Sequence, residues 1–185
     1  MKKIVIGAAA LVTAFGAAAQ TEPFNLSLTP DVAVHDRITE IRGITLSLWG
    51  ENPQHSFALG LVNGTTGNSA GLSVGILNYA DGYKGLQWGV VNHTEGDFTG
   101  WQGGPFAGLL GSAVNYAGGT MKGLQVGGVN MTGNLTGLQV GLVNYTKGSG
   151  PGIQIGLVNM MPENIWFDNL PEELAPAMIL VNWRF

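Results

Sequence analysis

Apolar and polar residues alternate along most of this chain in a repeated eight-residue unit. The copy at 137–144 reads Gly-Leu-Gln-Val-Gly-Leu-Val-Asn, so leucine and valine alternate with glycine and glutamine. A period of two predicts a β-strand with two chemically different faces. Each unit therefore predicts one strand of about eight to ten residues and a short turn. Glycines between units, such as Gly82 and Gly148, predict tight turns with positive φ.

The unit recurs along the chain with a nearly constant period. Copies stand at 71–78, 85–92, 123–130, 137–144 and 152–159, with a shorter one at 57–63. The closing asparagines fall at 63, 78, 92, 115, 130, 144, 159 and 182, in steps of 15, 14, 23, 15, 14, 15 and 23. The first long step contains a degenerate copy at 100–104, and the second contains a loop from Pro162 to Pro176.

The repeat favours a small antiparallel transmembrane-type β-barrel of about ten strands, since a tilted spanning strand needs about 9–11 residues. Leu138, Val140 and Leu142 would face lipid, and the glycine and glutamine face would fill a narrow lumen. Phe185 ends an alternating aromatic strand that resembles the assembly signal of bacterial outer-membrane barrels, which makes the bilayer and the barrel-assembly machinery expected partners. The aromatic residues next to the repeat asparagines would form a membrane girdle: Tyr79, Tyr116, Tyr145 and Trp183.

A β-solenoid, in which each unit is one coil, is the alternative architecture. Leu142 and Val143 are both apolar, so the alternation fails just before Asn144. A solenoid corner, with asparagine in the left-handed conformation, explains that break. An ordinary soluble sandwich is the remaining possibility.

Composition narrows the class of protein. Glycine counts 30 of 185 residues, which argues against a helical bundle because glycine weakens helix interiors. Charged residues make up 11%, too few for a disordered chain. The formal charge of −4 gives no reason to expect nucleic acid, and the cysteine count of 0 excludes disulfides and thiolate metal sites.

The N-terminus predicts export. Lys2 and Lys3 precede an uncharged apolar stretch that ends in three alanines at 17–19. This pattern is typical of a secretory signal peptide, here residues 1–19. The mature chain, 20–185, is then a single repeat-built β domain.

The Gly-Leu-Gln-x-Gly-x-Val-Asn unit, spaced by short polar turns, resembles the surface-repeat-containing proteins of bacteria. Leu26-Ser27-Leu28-Thr29-Pro30 and Asn182-Trp183-Arg184-Phe185 are also similar to the ends of that family. The resemblance covers about residues 24–185 and departs from the regular pattern at 101–114. It implies export and association with the cell surface or outer membrane, and it transfers no activity.

Residues that carry chemistry are sparse. His35, His55 and His93 are not spaced as metal ligands, and the acids of the loop Pro162–Pro176 lack the spacing of a calcium site. We predict no catalytic residue, no cofactor and no metal site. The repeated glutamines are expected to hydrogen-bond one another. Trp166 and Phe167 are the candidate partner contacts because they are aromatic residues in a predicted exposed loop.

These observations favour an exported bacterial protein, in the outer membrane or at the cell surface, with a structural or interaction role and no catalysis. A small outer-membrane pore is one alternative, suggested by the row of glutamines. A secreted solenoid adhesin or binding module is the other.

Overall fold

The structure, a computed structural model, describes residues 20–105 and 111–185, which are all-β. The predicted signal peptide lies outside these ranges. Within them, no helix has the length and apolar character needed to cross a membrane. The strands are β1 (Thr21–Thr29), β2 (Val32–Ala33), β3 (Glu40–Asn52), β4 (His55–Val74), β5 (Leu77–Trp88), β6 (Val91–Thr94), β7 (Phe98–Gly103), β8 (Ser112–Thr146), β9 (Gly152–Met160) and β10 (Ala177–Arg184).

The repeat units stack as parallel coils of a β-solenoid of about nine turns. Equivalent residues of successive units lie opposite each other, as Asn63 with Asn78 and Gln139 with Gln154. The antiparallel barrel predicted from the sequence is therefore wrong, and the solenoid alternative is confirmed. Parallel neighbours need a return path, and the second half of each 14–15-residue coil provides it.

Each coil is flattened between two bends. One bend, here called the apex, lies two residues before the repeat asparagine, where regular pairing skips Leu142 between Gly141 and Val143. The apex column contains apolar residues and glycine: Leu48, Leu61, Ile76, Val90, Ala113, Gly128, Leu142 and Leu157. The opposite bend, here called the polar bend, carries the exposed charges Asp81, Lys84, Glu95, Asp97, Lys122 and Lys147.

Backbone conformation differs from the expected turns. The positive-φ glycines include the first glycine of five units, with φ of 126–139°, at Gly71, Gly85, Gly100, Gly123 and Gly137. Gly82 and Gly148 are not among them. Gly82 lies within the extended strand β5, and Gly148 lies in the short segment between β8 and β9. The repeat asparagines are likewise not left-handed. The corner is instead made at Gly141 and Leu142, and Asn144 points inward.

The first long step of the repeat contains one complete coil. Gly100 to Gln102 pair in register with Gly85 to Gln87, which confirms the degenerate copy. Asn115 pairs with Asn92, so the same coil continues into β8. Residues 106–110, between these two segments, lie outside the described ranges.

Both ends of the solenoid depart from the coil pattern. At the N-terminal end, β2 folds back antiparallel on β1, and β1 runs parallel to β3. At the C-terminal end, β10 runs antiparallel to β9, with Leu180 opposite Gly156 at the apex. The predicted loop from Pro162 to Pro176 contains none of the named strands and contacts β10. The aromatic girdle predicted for a barrel is absent from the described residues. Tyr79 and Tyr116 do not encircle the protein but lie in a single column, on different coils along the solenoid axis.

Candidate functional site

The interior of each coil near the apex is a ladder of asparagine amides. Each Nδ2 donates to Oδ1 of the asparagine one coil further on, at 2.8–3.0 Å, from Asn63 through Asn159. The second Nδ2 proton of Asn130 goes to the backbone oxygen of Val140, at 3.0 Å. These side chains are buried, and their paired amides avoid the cost of an unsatisfied polar group.

A second ladder, made of glutamines, lies further from the apex. Nε2 donates to Oε1 of the preceding coil at 2.7–2.9 Å, from Gln154 back through Gln139, Gln125 and Gln102 to Gln87. Thr146 from the opposite side of the coil donates to Gln139, at 3.3 Å. The sequence-based expectation that the glutamines pair with one another is confirmed, inside a solenoid rather than a barrel lumen.

The second glycine of the unit makes room for the asparagine ladder. A Cβ built on Gly141 would lie 2.6 Å from Nδ2 of Asn130 and 2.2 Å from the backbone oxygen of Gly127. Any larger residue would collide with both, because neither backbone nor ladder can move freely. The glycine and the asparagine of the Gly-x-x-Asn half of the motif therefore act together, since the glycine leaves the space that the asparagine ladder occupies.

Near the polar bend the coil interior is apolar. Tyr83 and Phe98 stack with ring centroids 6.0 Å apart, and Met121 and Leu135 continue the column. The same buried cluster includes the small or flexible side chains of Ala80, Ala117 and Met161. The outside of this half carries the charged residues, as in a water-soluble protein.

Near the apex the arrangement is reversed, with amides inside and apolar side chains outside. Leu142 is 57% exposed and Leu157 is 61% exposed, against none for Asn144 and Asn159. Further exposed residues of this surface are Leu46, Leu48, Trp49, Leu59, Leu61, Ile76, Ile155, Val158, Ile179 and Leu180. We name this half of the coils, with its exposed residues, the apex surface. Its large exposed residues fall in two groups, at 46–76 and at 142–180, and the apex-column residues between them, Val90, Ala113 and Gly128, are half-buried. This surface is the candidate binding surface.

A column of rings borders the apex surface on one flank. Tyr79, His93 and Tyr116 are paired in register, one residue after their asparagines. His93 and Tyr116 stack with centroids 4.8 Å apart, and Nε2 of His93 lies 3.5 Å from Glu95. Tyr145 occupies the same position in the last coil of β8, opposite Met160 of β9. These side chains are half-buried, between the apolar apex and the charged bend.

Tyr79 joins this column to the N-terminal end of the solenoid. Its hydroxyl donates to Glu51 and accepts from Nε1 of Trp49, at 3.0 Å. Arg37 also contacts Glu51, at 3.4 Å. Burial raises the pKa of Tyr79 to about 12, and the hydrogen bond to Glu51 acts in the same direction. The phenol is therefore a neutral structural group at ordinary pH.

A groove of about 350 Å³ opens beside the polar bend at the N-terminal side of the repeat array. Its wall includes His55, Lys84, Asp97 and Tyr83. The hydroxyl of Tyr83 is buried without a hydrogen-bond partner among the described residues, and burial raises its pKa. Asp97 already has a hydrogen-bond partner within the protein, since its Oδ1 accepts the backbone N–H of Thr120 at 2.7 Å. His55 likewise contacts Glu40, at 3.2 Å.

The two aromatic residues proposed as partner contacts lie in the C-terminal loop. Trp166 is 56% exposed and Phe167 is 50% exposed, with ring centroids 5.9 Å apart. Their neighbours in the loop have a different role. Asn164 donates to the backbone of Trp183 at 3.0 Å, and Glu173 lies 3.2 Å from Arg184, so both hold β10 in place.

Groups for catalysis do not converge in the described part of the chain. His35, His55 and His93 stand in different segments, and each lies near a different polar partner. In the ranges 20–105 and 111–185 no group of three or more metal-ligating side chains comes together. The absence of enzymatic activity stays a prediction.

Sequence reasoning found the outward side chains but not their grouping. Leu138 and Val140 face outward and Gln139 inward, as the period of two predicts. The period of two does not reveal the apex column, which is marked instead by two adjacent apolar residues, such as Leu142 and Val143, in most copies but not in the copy at 123–130. Comparison of the chain with protein-family models, with curated proteins and with solved structures gave no match.

Proposed function

We propose that this protein is a non-catalytic binding module that acts at a bacterial cell surface after export, with the apex surface as its binding surface. The observation that carries the proposal is the reversed polarity of the apex half, where amides are buried and leucines exposed. Burying one such leucine contributes roughly 1.5–3 kcal/mol, so burial of several of them against a partner would contribute strongly to the free energy of binding.

The asparagine and glutamine ladders support this role because they fix the scaffold without an apolar core near the apex. A coil with leucine side chains in its interior would carry polar side chains on its outer surface. Here the ladders leave the apolar residues free to face a partner, at the regular strand spacing of about 4.8 Å. Because the scaffold already holds these side chains in a regular and rigid array, less conformational entropy is lost when a partner binds.

The pore alternative has less support. Paired amides fill the coil interior near the apex, and apolar side chains fill it near the polar bend. The cavity lined by Thr45, Asn63 and Thr65 measures only about 10 Å³, the size of one water molecule. The interaction and adhesin alternatives both require an exposed binding surface, which the apex surface supplies. Export through residues 1–19 and location at the outer membrane belong to the proposal.

The test is partition of the purified 20–185 chain between water and the detergent-rich phase of a non-ionic detergent. We expect the chain to enter the detergent-rich phase. The double variant Leu61→Asp/Leu142→Asp is expected to remain in water, while Lys147→Asp at the polar bend behaves as the unaltered chain. Circular dichroism checks that all three keep the fold. An unaltered chain that stays in the aqueous phase would overturn the proposal.

A further inference from the structure

We infer that the partner of the apex surface is a lipid leaflet without net charge, and that the apex enters its hydrocarbon while the polar bend stays in water. This inference rests on the proposed function and names the partner of the same surface. Four features of the structure carry it: the shape of the apolar surface, the internal pairing of polar groups, the order of side chains from apex to polar bend, and the charge.

The shape of the apolar surface fits a fluid partner. Exposed apolar side chains occur on the apex column and on both flanks beside it, as Leu59 on one side and Val158 on the other. A second rigid solenoid laid against one flank would leave the other flank and the apex in water. Hydrocarbon chains cover all three together.

The asparagine amides of the apex half are paired inside the coil. Hydrocarbon supplies no hydrogen bonds, so backbone and amide groups immersed in it must pair within the protein. The parallel strand ladders pair the backbone between coils. Asn130 and Asn144 then pair their amides on the inside, leaving no polar side chain on the apex column. A protein surface that binds another protein has no such requirement.

The order of side chains from apex to polar bend follows the order of a lipid–water interface. Leu142 stands at the apex, Val143 next to it, Tyr145 two residues further, and Lys147 at the polar bend. Three residues of strand place Tyr145 about 10 Å from the apex. That distance matches the depth to which interfacial proteins bury apolar groups, and tyrosine is enriched at this level of a membrane.

The charge favours a neutral leaflet. The charged residues of the polar bend balance, with Asp81, Glu95 and Asp97 against Lys84, Lys122 and Lys147. Over residues 20–185 the chain has six basic and twelve acidic residues, a net of −6. An anionic surface would repel this chain, and the apex column contains no basic residue to offset that repulsion.

The experiment is flotation of the 20–185 chain with phosphatidylcholine vesicles, combined with quenching of tryptophan by lipids brominated on the acyl chain. We expect the chain to float, and Leu61→Asp/Leu142→Asp to bind at least roughly tenfold more weakly, with Lys147→Asp unchanged. Replacing one third of the lipid by phosphatidylglycerol is expected to weaken binding. Trp49 and Trp88 lie beside the apex column and Trp166 lies in the C-terminal loop, so Trp49→Phe should reduce the quenching and Trp166→Phe should leave it unchanged.

The outcomes separate the inference from the proposed function. A chain that enters detergent but does not float with vesicles would overturn the lipid inference and leave a protein as the partner of the apex surface. Flotation with quenching that persists in Trp49→Phe and disappears in Trp166→Phe would overturn the orientation, since the loop would then enter the lipid. Stronger binding to vesicles with phosphatidylglycerol would overturn the preference for a neutral leaflet.

Discussion

Asn130 donates a hydrogen bond from Nδ2 to Oδ1 of Asn144, one coil further along the chain, at 2.8 Å. The glutamine ladder beside it runs the other way, with Gln139 donating to Gln125 of the preceding coil at 2.7 Å. The orientation of Asn130 is fixed by its second bond to Val140, since a reversed amide would face that carbonyl with its oxygen. The two rows of amide dipoles therefore oppose each other, which limits the net dipole of the interior.

A break in the asparagine ladder is expected to be costly. Asn130→Ala removes the acceptor for Asn115 and the donor for Asn144, and leaves two buried amides partly unsatisfied. We expect the free energy of unfolding to fall by about 2–4 kcal/mol, measured by urea denaturation. The exposed Asn134, in the same coil, is the matched control, and Asn134→Ala should change stability by less than about 0.5 kcal/mol. Equal effects of the two variants would show that the ladder does not stabilise the fold.

The first glycine of the unit is required by space as well as by conformation. Gly137 has a φ of 139°, and a Cβ there would lie 2.1 Å from the backbone oxygen of Gly123. Gly67 also has positive φ, 61°, but a Cβ there meets no atom within 4 Å. We expect Gly67→Ala to cost about 1 kcal/mol, from strain alone, and Gly137→Ala to cost at least about 2 kcal/mol more. Similar melting temperatures for the two variants would contradict the packing argument.

The pattern of alternation predicted the side-chain directions but not the architecture. Leu138 and Gln139 face opposite ways in a barrel strand and in a solenoid strand alike, so a period of two cannot separate the two folds. The discriminating signal was local, in Leu142 followed by Val143, where the coil turns its corner. The alternating end at Phe185 favoured the barrel, yet β10 is an antiparallel strand that closes the stack.

The candidate binding surface was predictable in part. Outward leucines were expected because lipid-facing strands and this solenoid share the same reversed polarity. The division of the coil interior into an amide half near the apex and an apolar half near the polar bend was not predictable. It depends on which inward-facing residues from the two sides of a coil lie opposite each other. Tyr83 and Phe98 form an apolar interior at the polar bend because the chain has already turned at the apex, at Ile76 and Val90. Sequence spacing alone does not show which side of a coil each residue belongs to.

The pKa of Tyr79 predicts loss of stability at high pH. The folded value of about 12 lies above the ordinary 10.0, so the neutral phenol is favoured by folding. This contribution is fully present below pH 10 and is lost as the pH rises through 12. Tyr79→Phe should remove the absorbance change of one tyrosinate near pH 12, measured by difference titration at about 295 nm. Glu51→Gln should move that titration to lower pH, because the hydrogen bond to the carboxylate disappears. An unchanged titration in Glu51→Gln would contradict the assigned contact.

The C-terminal end of the solenoid is expected to open separately from the coils. Glu173 is buried, lies 3.2 Å from Arg184, and accepts the backbone N–H of Ile165 at 3.0 Å. Glu173→Gln leaves Arg184 without its charge partner, and we expect a cost of about 1–3 kcal/mol. Because each coil contacts only its neighbours, that cost should appear as faster hydrogen exchange in β10, with exchange in β5 and β6 unchanged.

The matched control for this variant is the adjacent exposed carboxylate, Glu172. Its backbone oxygen accepts the N–H of Phe185 at 2.8 Å, and that bond does not depend on the side chain. Glu172→Gln should therefore leave exchange in β10 as it is. Faster exchange throughout the chain in Glu173→Gln would mean that the solenoid unfolds as one unit, and that the loop and β10 stabilise every coil rather than the last one.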